Sequence, residues 1–244
     1  MQNKSILIVV ASYNEIYALP SFLSELAPLL TKNITIVVAD DSPMENRGLI
    51  KIGCELSFKL SEAKIDFSFS NSKNGRGAAI HRGFKFAIQK YGEFDYFIEC
   101  DSDGSHTPKD IVNLVNSIEP SDLIIGSRYL PSSKIIGWPW TRRVFSKILN
   151  TLIPKLVGIK CSDITNGLRR YSQSAVSTLL KYEPRNKGFI YLSEQAIILN
   201  NRGYSISEFP ITFINRTLGE STVGMKEIFK SITGILKLIG QKNI

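Results

Sequence analysis

The sequence predicts an α/β fold in which helices flank a mostly parallel central sheet. Short apolar runs alternate with amphipathic stretches through the first half of the chain, as in consecutive strand–helix–strand units. Polar or glycine-bearing segments follow these runs, where a parallel sheet places its loops. The length of 244 residues suits one α/β domain with a large core.

The first two strands follow from hydrophobic patterning. Residues 6–11 are a continuous apolar run, which predicts that residues 5–11 form a strand buried on both faces. Residues 17–30 have the pattern of its crossover helix. Residues 34–39 repeat the apolar run and predict the second strand. The acidic turn that follows leads us to interpret residues 40–48 as a loop.

Three more strands and two helices complete the first half. Residues 65–70 alternate as a half-buried strand, and residues 75–90 have a helical pattern of apolar positions. Residues 95–100 and 122–125 are further apolar strands. Residues 108–118 form the helix between them, because a threonine cap and a proline suited to a first helical turn begin this segment.

Two apolar stripes at helical spacing occupy the second half. One runs through residues 144–157, opposed by Lys147 and Lys155, and the other runs through residues 225–239. We interpret both as amphipathic helices, the second of them at the C-terminal end. Basic amphipathic helices can lie in a membrane interface, but both stripes could equally pack against the body of the protein.

Charge and cysteine content narrow the class of protein. Thirty Lys and Arg residues against 22 Asp and Glu residues give a net charge of +8, which favours nucleic acid, anionic lipid or phosphorylated ligands. No apolar run reaches the roughly 18–20 residues that a membrane-spanning helix needs. The three cysteines are widely spaced and lack zinc-ligand spacing, which indicates reduced thiols in a cytosolic protein.

Asp101 and Asp103 are the strongest candidates for chemistry. They come directly after the apolar run 95–100, where the strand leaves the sheet. Two crowded carboxylates repel each other unless they share a proton or a cation. A hard divalent ion that carries a substrate diphosphate would remove this repulsion and suits oxygen ligands. Taken alone, the pair could also be ordinary loop or helix-capping acids.

Three more polar segments are expected at the same edge of the sheet, at residues 12–15, 40–42 and 74–77. Each has a structural explanation of its own. Asn14 and Glu15 could cap a helix, for example, and the glycines of the third segment could only permit a tight turn. Their convergence with the acid pair is harder to explain in this way and predicts a ligand-binding edge.

The motifs resemble those of the family-2 glycosyltransferases of GT-A fold. The segments that carry this resemblance are residues 10–15 (VASYNE), 38–43 (VADDSP), 101–108 (DSDGSHTP) and 126–129 (GSRY). Later motifs resemble the polyprenol-phosphate (dolichol-phosphate) mannosyltransferase branch. They are Trp138-x3-Arg142, Asp163-x-Thr165-x-Gly167-x-Arg169-x-Tyr171, Gly188-Phe189-x4-Glu194 and Phe213-x2-Arg216-x2-Gly219-x-Ser221. The resemblance runs from residue 5 to about residue 240.

The resemblance implies a role for each candidate residue. The base and ribose of a nucleotide-sugar donor would be held by Ser12, Tyr13, Asn14, Glu15, Asp40 and Asp41, with Arg76 beside the base. Mg²⁺ or Mn²⁺ bridging the donor diphosphate would be bound by Asp101, Asp103 and Ser105. The phosphates of the donor and of the acceptor would be surrounded by Arg128, Arg142 and Arg216, which with Asp103 would be the catalytic residues.

The resemblance also implies a reaction and a location. A single GT-A domain would cover residues 1–244, with nucleotide-sugar binding in about residues 1–125 and acceptor binding in about residues 126–244. It would be a metal-dependent inverting transferase that moves a hexose to a polyprenyl (dolichyl-type) phosphate, and the resemblance points to mannose from GDP-mannose as the donor. The enzyme would lie at the cytoplasmic face of a membrane, by peripheral contact or through a membrane partner subunit.

Two departures leave the substrates open. Thr222 stands where relatives often carry a lysine, and residues 44–48 replace the usual Asp-Gly-Thr ending of the loop after the second strand. The alternative is a UDP-sugar donor with a sugar-hydroxyl acceptor in cell-surface polysaccharide synthesis. A phosphate acceptor is already ionised at neutral pH, and the scarcity of His–Asp pairs beyond His106 favours it. A nucleic-acid-binding module is disfavoured, because the basic residues lie on apolar-striped helices.

Overall fold

The computed structural model describes residues 4–184 and 190–215. In it β1 (Ile6–Ser12) and β2 (Ile34–Asp40) are almost wholly buried, as expected for apolar runs with helices on both faces of the sheet. The two strands pair in parallel, and Ser12 lies opposite Asp40. The strands predicted at 5–11 and 34–39 are confirmed.

Among the described residues, seven strands form the main sheet. The remaining five are β3 (Lys64–Phe69), β4 (Tyr96–Asp101), β5 (Leu123–Ser127), β7 (Arg169–Ser172) and β8 (Ile206–Pro210). Their order is β3-β2-β1-β4-β7-β5-β8, with β7 antiparallel to both of its neighbours. A separate parallel pair is formed by β6 (Lys134–Ile136) and β9 (Thr212–Ile214). The mostly parallel α/β sheet predicted from the sequence is confirmed.

Helices cover both faces of this sheet. They are α1 (Ala18–Leu26), α2 (Met44–Phe58), α3 (Arg76–Tyr91), α4 (Pro108–Val115), α5 (Trp140–Val157), α6 (Gln173–Leu179) and α7 (Ile190–Asn201). Alternate residues of β1 serve two cores: Leu7 and Val9 join one cluster of buried residues, and Ile8 and Val10 join the other. This alternation follows from the period of two along a strand.

Three predicted boundaries are wrong, and one of them is the end of the helix predicted at 108–118, since α4 ends at Val115. Residues 40–48 are not all loop, because α2 begins at Met44, directly after Pro43. Its buried positions are sparse and it contains Gly48 and Gly53, so the sequence shows only a weak helical pattern. The helix predicted over 17–30 stops at Leu26, and a 3₁₀ turn that includes Pro28 follows it.

The apolar stripe predicted over residues 144–157 lies in α5 and divides between two faces. Ile153 is buried in the core, and Leu149 and Val157 pack against that core. A second row stays exposed; it consists of Trp140, Val144, Ile148, Leu152 and Leu156, and we call it the outer α5 row. Across the described residues no helix is long and apolar enough to cross a bilayer.

Some predictions fall elsewhere in the chain. The stripe at 225–239, Arg216 and the motif residues Gly188, Phe189, Gly219, Ser221 and Thr222 lie outside the described residues. The division of the domain near residue 125 falls inside β5 and stays a prediction.

Candidate active site

The parallel register brings the candidate segments to one edge of the sheet. Ser12 at the end of β1 pairs with Asp40 at the end of β2, and Ala11 pairs with Asp101 at the end of β4. The loops after these strands therefore begin side by side, as predicted, on the edge where open parallel sheets bind their ligands.

The acids after β2 are held by different partners. Asp40 is fully buried and accepts a hydrogen bond of 2.6 Å from Ser42 Oγ. Burial raises the pKa of Asp40 above its usual value, although the hydrogen bond from Ser42 acts in the opposite direction. Asp41 pairs with Arg82 Nη1 at 2.8 Å, and its Oδ2 accepts from the backbone N–H of Asn74 at 2.9 Å.

The segment after β1 lies at the same edge of the sheet. Asn14 has a positive φ of 58°, and its backbone N–H donates to Ser42 Oγ at 2.8 Å. This contact ties the loop after β1 to the loop after β2. Tyr13 is 38% exposed, and the Lys73 ammonium lies 3.8 Å from the centre of its ring. The carbonyl of Glu15 accepts from Leu19 N–H at 3.2 Å, which starts α1.

Residues with oxygen atoms suited to a hard cation lie at the end of β4 and in the loop that follows it. Asp103 Oδ1 accepts from the backbone N–H of Ser105 at 3.0 Å, and Ser105 is only 2% exposed. The Ser105 hydroxyl is buried and has no hydrogen-bond partner among the described residues. A buried hydroxyl without a partner is unfavourable, so a ligand atom there would stabilise it. The donor set of Asp101, Asp103 and Ser105 therefore fits Mg²⁺ or Mn²⁺.

The protein supplies only part of a complete coordination shell at this position. Within residues 4–184 and 190–215, no group of three or more His, Cys, Asp or Glu side chains is arranged to hold a metal ion. A divalent ion bound through Asp101, Asp103 and Ser105 would need further oxygen ligands, such as those of a diphosphate or water.

Arg76 lies directly beside Asp101. Its Nε donates to Asp101 Oδ1 at 2.8 Å, its Nη1 to Glu99 Oε2 at 2.6 Å, and its Nη2 to the Gly167 carbonyl at 2.9 Å. Burial disfavours this charge, but the Glu99 and Asp101 carboxylates outweigh burial and hold the pKa of Arg76 well above its ordinary value. The contact between Arg76 and a nucleotide base stays a prediction.

Arg128 is fixed by a buried acid. Its Nε lies 2.6 Å from Asp163 Oδ2, and its Nη2 donates to Asp163 Oδ1 at 2.7 Å and to Thr165 Oγ1 at 2.8 Å. Burial opposes the charge of Arg128, but Asp163 outweighs it, so the pKa of Arg128 is raised. Such a two-point pair fixes the plane of a guanidinium.

Trp138 brings two of the predicted arginines together. The guanidinium carbon of Arg142 lies 4.0 Å from the centre of the Trp138 ring, and that of Arg128 lies 5.1 Å from it. Arg142 Nη1 also donates to Asn215 Oδ1 at 3.2 Å. Cations over an indole face are stabilised by its quadrupole. The two arginines therefore share one support, and Arg216 lies outside the described residues.

Phe213 lies between this arginine pair and the end of β4, where Asp101 is located. Its ring packs edge-on against Trp138 at 5.3 Å and against His106 at 5.6 Å between ring centres. His106 Nδ1 accepts from the backbone N–H of Asp101 at 3.4 Å. Burial lowers the pKa of His106, so the imidazole is neutral at pH 7.

The sequence reasoning missed two acids. Glu99 lies within the predicted strand 95–100, and in the structure its side chain is fully buried and pairs with Arg76. Asp163 was used only as a motif position, yet it holds Arg128. For Glu99 a signal was available, since a carboxylate inside an otherwise apolar strand needs a buried partner.

The chain has clear relatives. Residues 7–180 match the sequence profile of the family described as Glycosyl transferase family 2. The polyprenol monophosphomannose synthase of Mycolicibacterium smegmatis is 31% identical over 223 residues, which cover 91% of this chain and 82% of that protein. The undecaprenyl-phosphate mannosyltransferase of Micrococcus luteus is 28% identical over 234 residues, 95% of this chain and 93% of that protein.

Solved structures share the fold. A glucosyl-3-phosphoglycerate synthase from Mycobacterium tuberculosis, in complex with Mn²⁺, UDP and phosphoglyceric acid, has a TM-score of 0.62 at 18% identity and covers 100% of this chain and 80% of its own. The same enzyme with Mg²⁺ and UDP has a TM-score of 0.60 at 15% identity, covering 98% and 80%. At such identities the likeness concerns the fold, and it confirms the predicted GT-A architecture.

Proposed function

The chain belongs to glycosyl transferase family 2, and from that membership we propose that it transfers mannose from GDP-mannose to a polyprenyl phosphate, with inversion at the sugar. The observation that carries this proposal is the activity for which two relatives of the chain are named. They are named a polyprenol monophosphomannose synthase and an undecaprenyl-phosphate mannosyltransferase, and they align with 91% and 95% of this chain.

The reaction needs compensation for charge on the leaving nucleotide diphosphate. Asp101, Asp103 and Ser105 are the residues that we assign to Mg²⁺ or Mn²⁺, on the strength of their oxygen donors and the buried Ser105 hydroxyl. A bound ion would supply neutralisation of the diphosphate as the sugar departs. The role that we assign to the protein is to hold these oxygens where β4 ends, beside the loops proposed to bind the donor.

The arginines are assigned to the acceptor side. Arg142 lies over Trp138, and we propose that its guanidinium binds the lipid phosphate together with Arg216. Arg128 uses Nε and Nη2 for Asp163 and Thr165, so we assign its Nη1 to a phosphate oxygen. A guanidinium group suits this task because its N–H groups form strong, charge-assisted hydrogen bonds with phosphate oxygens.

The chemistry of a phosphate acceptor matches the neighbouring groups. A phosphate monoester is ionised at pH 7, so its attacking oxygen needs no strong base. His106 is the imidazole nearest to the acid pair, and its Nδ1 already accepts from the Asp101 N–H. Burial also lowers the pKa of His106 and makes it a poor proton acceptor. This supports a phosphate over a sugar hydroxyl.

The outer α5 row supports contact with a membrane surface. Its five apolar side chains are between 49% and 74% exposed. Arg143, Lys147 and Lys155 lie on the same helix and would face anionic lipid headgroups. The N-terminal turn of α5 carries Arg142, so a bilayer along this helix would bring lipid phosphates near the arginines. We propose peripheral binding at the cytoplasmic face through this row.

A donor and acceptor screen tests the function. The purified full chain is incubated with radiolabelled GDP-mannose, UDP-glucose or UDP-N-acetylglucosamine, with Mg²⁺ or Mn²⁺, and a short polyprenyl phosphate. We expect label in the lipid phase from GDP-mannose, and none when EDTA is present. Transfer from a UDP-sugar to glycan acceptors, with no lipid product, would instead select the polysaccharide alternative.

A further inference from the structure

Arg76, Glu99 and Asp101 form a chain of ion pairs that ends at one of the candidate metal ligands, Asp101. Arg76 Nη1 lies 2.6 Å from Glu99 Oε2, and Arg76 Nε lies 2.8 Å from Asp101 Oδ1. The Glu99 side chain is fully buried, whereas that of Asp101 is 30% exposed. The guanidinium therefore joins an inaccessible carboxylate to an accessible one. We call these three residues the ion-pair triad.

The fold places the triad with little freedom. Glu99 and Asp101 are two residues apart on β4, so their side chains leave the same face of the sheet. Arg76 is the first residue of α3 and reaches both from above that face. A Cβ at Gly167 would lie 2.7 Å from Arg76 Nη2 and 3.2 Å from Asp101 Oδ1, so glycine is the residue that admits this arrangement.

The guanidinium of Arg76, by pairing with Asp101, should lower the affinity of Asp101 for a divalent ion. A guanidinium at 2.8 Å from Oδ1 competes with a divalent ion for the same carboxylate and repels that ion. Glu99 works against both effects, because it draws Nη1 of Arg76 to itself and offsets the positive charge. Tyr171 fixes Glu99 in turn, since its hydroxyl donates to Glu99 Oε1 at 2.5 Å.

We propose that Glu99 is a positioning residue of the metal site, which takes up the charge of Arg76 so that Asp101 stays available to a divalent ion. This proposal rests on the metal-dependent function proposed above. It adds a buried residue that touches neither the substrate nor the ion and acts only through Arg76 and Asp101.

Another buried cation faces Glu99 but is otherwise engaged. Arg169 is the register partner of Glu99 on the antiparallel β7. Its Nε, Nη1 and Nη2 donate to the carbonyls of Asn166, Leu192 and Ile164 at 2.9, 2.7 and 2.6 Å. Arg76 is therefore the cation whose pairing a change at Glu99 would alter most directly.

The experiment measures how strongly Mn²⁺ tightens nucleotide binding. Calorimetry gives the affinity of the full chain for GDP and for UDP, in EDTA and at a series of Mn²⁺ concentrations. For Glu99→Gln we expect the tightening by Mn²⁺ to fall about 10- to 100-fold, as is typical when a residue behind a metal ligand is changed. Affinity in EDTA should equal that of the wild type, and Glu99→Asp, which keeps the charge, should lose less.

A rescue variant separates positioning from simple damage to the fold. Adding Arg76→Gln to Glu99→Gln removes the uncompensated cation, so most of the tightening by Mn²⁺ should return. The matched control adds Arg82→Gln instead. Arg82 lies on the same helix and pairs with Asp41 at 2.8 Å, two strands away from Asp101. This control variant has the same net charge as the rescue variant, but its response to Mn²⁺ should not return.

The outcomes are distinct. Unchanged tightening in a folded Glu99→Gln protein overturns the inference and leaves the proposed function intact. Equal losses in the Glu99→Asp and Glu99→Gln variants, equal rescue by both arginine changes, or weaker binding of the Glu99→Gln single variant in EDTA also overturn it. If Mn²⁺ tightens neither GDP nor UDP binding to the wild type, both the inference and the metal-dependent function fail. Because Arg76 is also expected beside the base, the tightening by Mn²⁺ is calculated for each variant relative to its own affinity in EDTA.

Discussion

Asp163 holds the guanidinium of Arg128 through two hydrogen bonds, from Nε to Oδ2 at 2.6 Å and from Nη2 to Oδ1 at 2.7 Å. Asp163 is fully buried and Arg128 is 9% exposed, so neither charge is well solvated without the other. The Asp163 oxygens thus set the orientation of an arginine that we assign to the phosphates. Its position depends on an acid that need not touch any substrate.

Breaking this pair should destabilise the fold. For Asp163→Asn we expect the free energy of unfolding to fall by about 3–5 kcal/mol, because a buried guanidinium is left without its counter-charge. Urea unfolding followed by circular dichroism measures the change. The control is Glu55→Gln, which removes the exposed Lys51–Glu55 pair at 3.8 Å and should cost less than about 1 kcal/mol. Equal effects of the two changes would refute a buried, stabilising pair.

Asp103→Asn should abolish sugar transfer while the protein stays folded. Asparagine retains an oxygen that can accept from the Ser105 N–H, so the loop keeps its local contact. It loses the negative charge that a divalent ion requires, and we expect transfer to fall by at least about 100-fold. Radiolabel transfer to lipid measures the loss, and the thermal unfolding midpoint serves as the control. A fully active, folded variant would remove Asp103 from the metal site.

Much of the candidate site could be predicted because it lies at strand ends. The apolar runs that form β1, β2 and β4 dictate buried parallel strands, and the register of such strands places their following loops together. The acids of those loops could thus be brought to one edge from the sequence alone. The start of the helix predicted at 108–118 could also be predicted from the sequence, since Thr107 acts as its N-cap and accepts from the Asp110 N–H.

Other parts depend on tertiary contacts that no local pattern reveals. The strand β7 reads Arg-Arg-Tyr-Ser, and it lies inside the sheet because Arg169 and Arg170 donate to carbonyls of distant segments. The same holds for Arg76, whose pairing with Glu99 joins residues 23 positions apart. The outward face of α2 carries Leu49, Ile52 and Leu56. Both faces of this helix are therefore partly apolar, and its sequence lacks the apolar and polar sides of an amphipathic helix.

Arg142→Gln should weaken use of the acceptor rather than of the donor. A lost charge-assisted hydrogen bond to phosphate is worth about 1.5–3 kcal/mol, so we expect the acceptor KM to rise roughly 10- to 100-fold. The donor KM should change little. Initial rates at varied polyprenyl phosphate and GDP-mannose separate the two constants.

The neighbouring Arg143 provides the matched control for Arg142. It is exposed and donates to the Ile135 carbonyl at 2.7 Å rather than lying over Trp138. Arg143→Gln removes the same charge from the same helical turn. With a short acceptor in detergent, where no anionic bilayer is present, it should leave the acceptor KM nearly unchanged. Equal effects of the two variants would indicate a general electrostatic attraction instead of a phosphate site at Arg142.

The outer α5 row should carry membrane binding. Ile148 and Leu152 are 49% and 51% exposed, and burial of such a side chain contributes about 1.5–3 kcal/mol. The double variant Ile148→Glu/Leu152→Glu should therefore weaken binding to anionic liposomes at least about 100-fold in a flotation assay. Its activity on a short acceptor in detergent should persist, because these side chains point away from the core.

The exposed apolar face of α2 offers the matching control for the liposome assay. Ile52 and Leu56 are 58% and 67% exposed, and Ile52→Glu/Leu56→Glu introduces the same charge into the same kind of surface. We expect this variant to bind liposomes almost as the wild type does. Comparable losses in both variants would show that general charge, rather than the outer α5 row, governs the interaction.

His81 should make the fold less stable as the pH falls from 7 to 5. It is 4% exposed on α3, and burial lowers its pKa from 6.5 to about 4, with Glu183 acting against and Lys85 adding to this shift. Between these two values the unfolded chain binds a proton that the folded protein excludes. Stability is therefore lost as the pH falls through this window, by about 2 kcal/mol at pH 5.

Urea unfolding of the wild type and of His81→Gln at pH 7 and pH 5 checks this prediction. Glutamine cannot titrate, so the variant should lose less stability over the interval than the wild type does. His106, the only other histidine of the chain, also has a lowered pKa through burial, so part of the pH dependence should remain. Carboxylates with lowered pKa values, such as Asp66 and Asp122, lose their contribution mainly below this window. Identical pH dependence in both proteins would mean that His81 is protonated, or solvated, in the folded state.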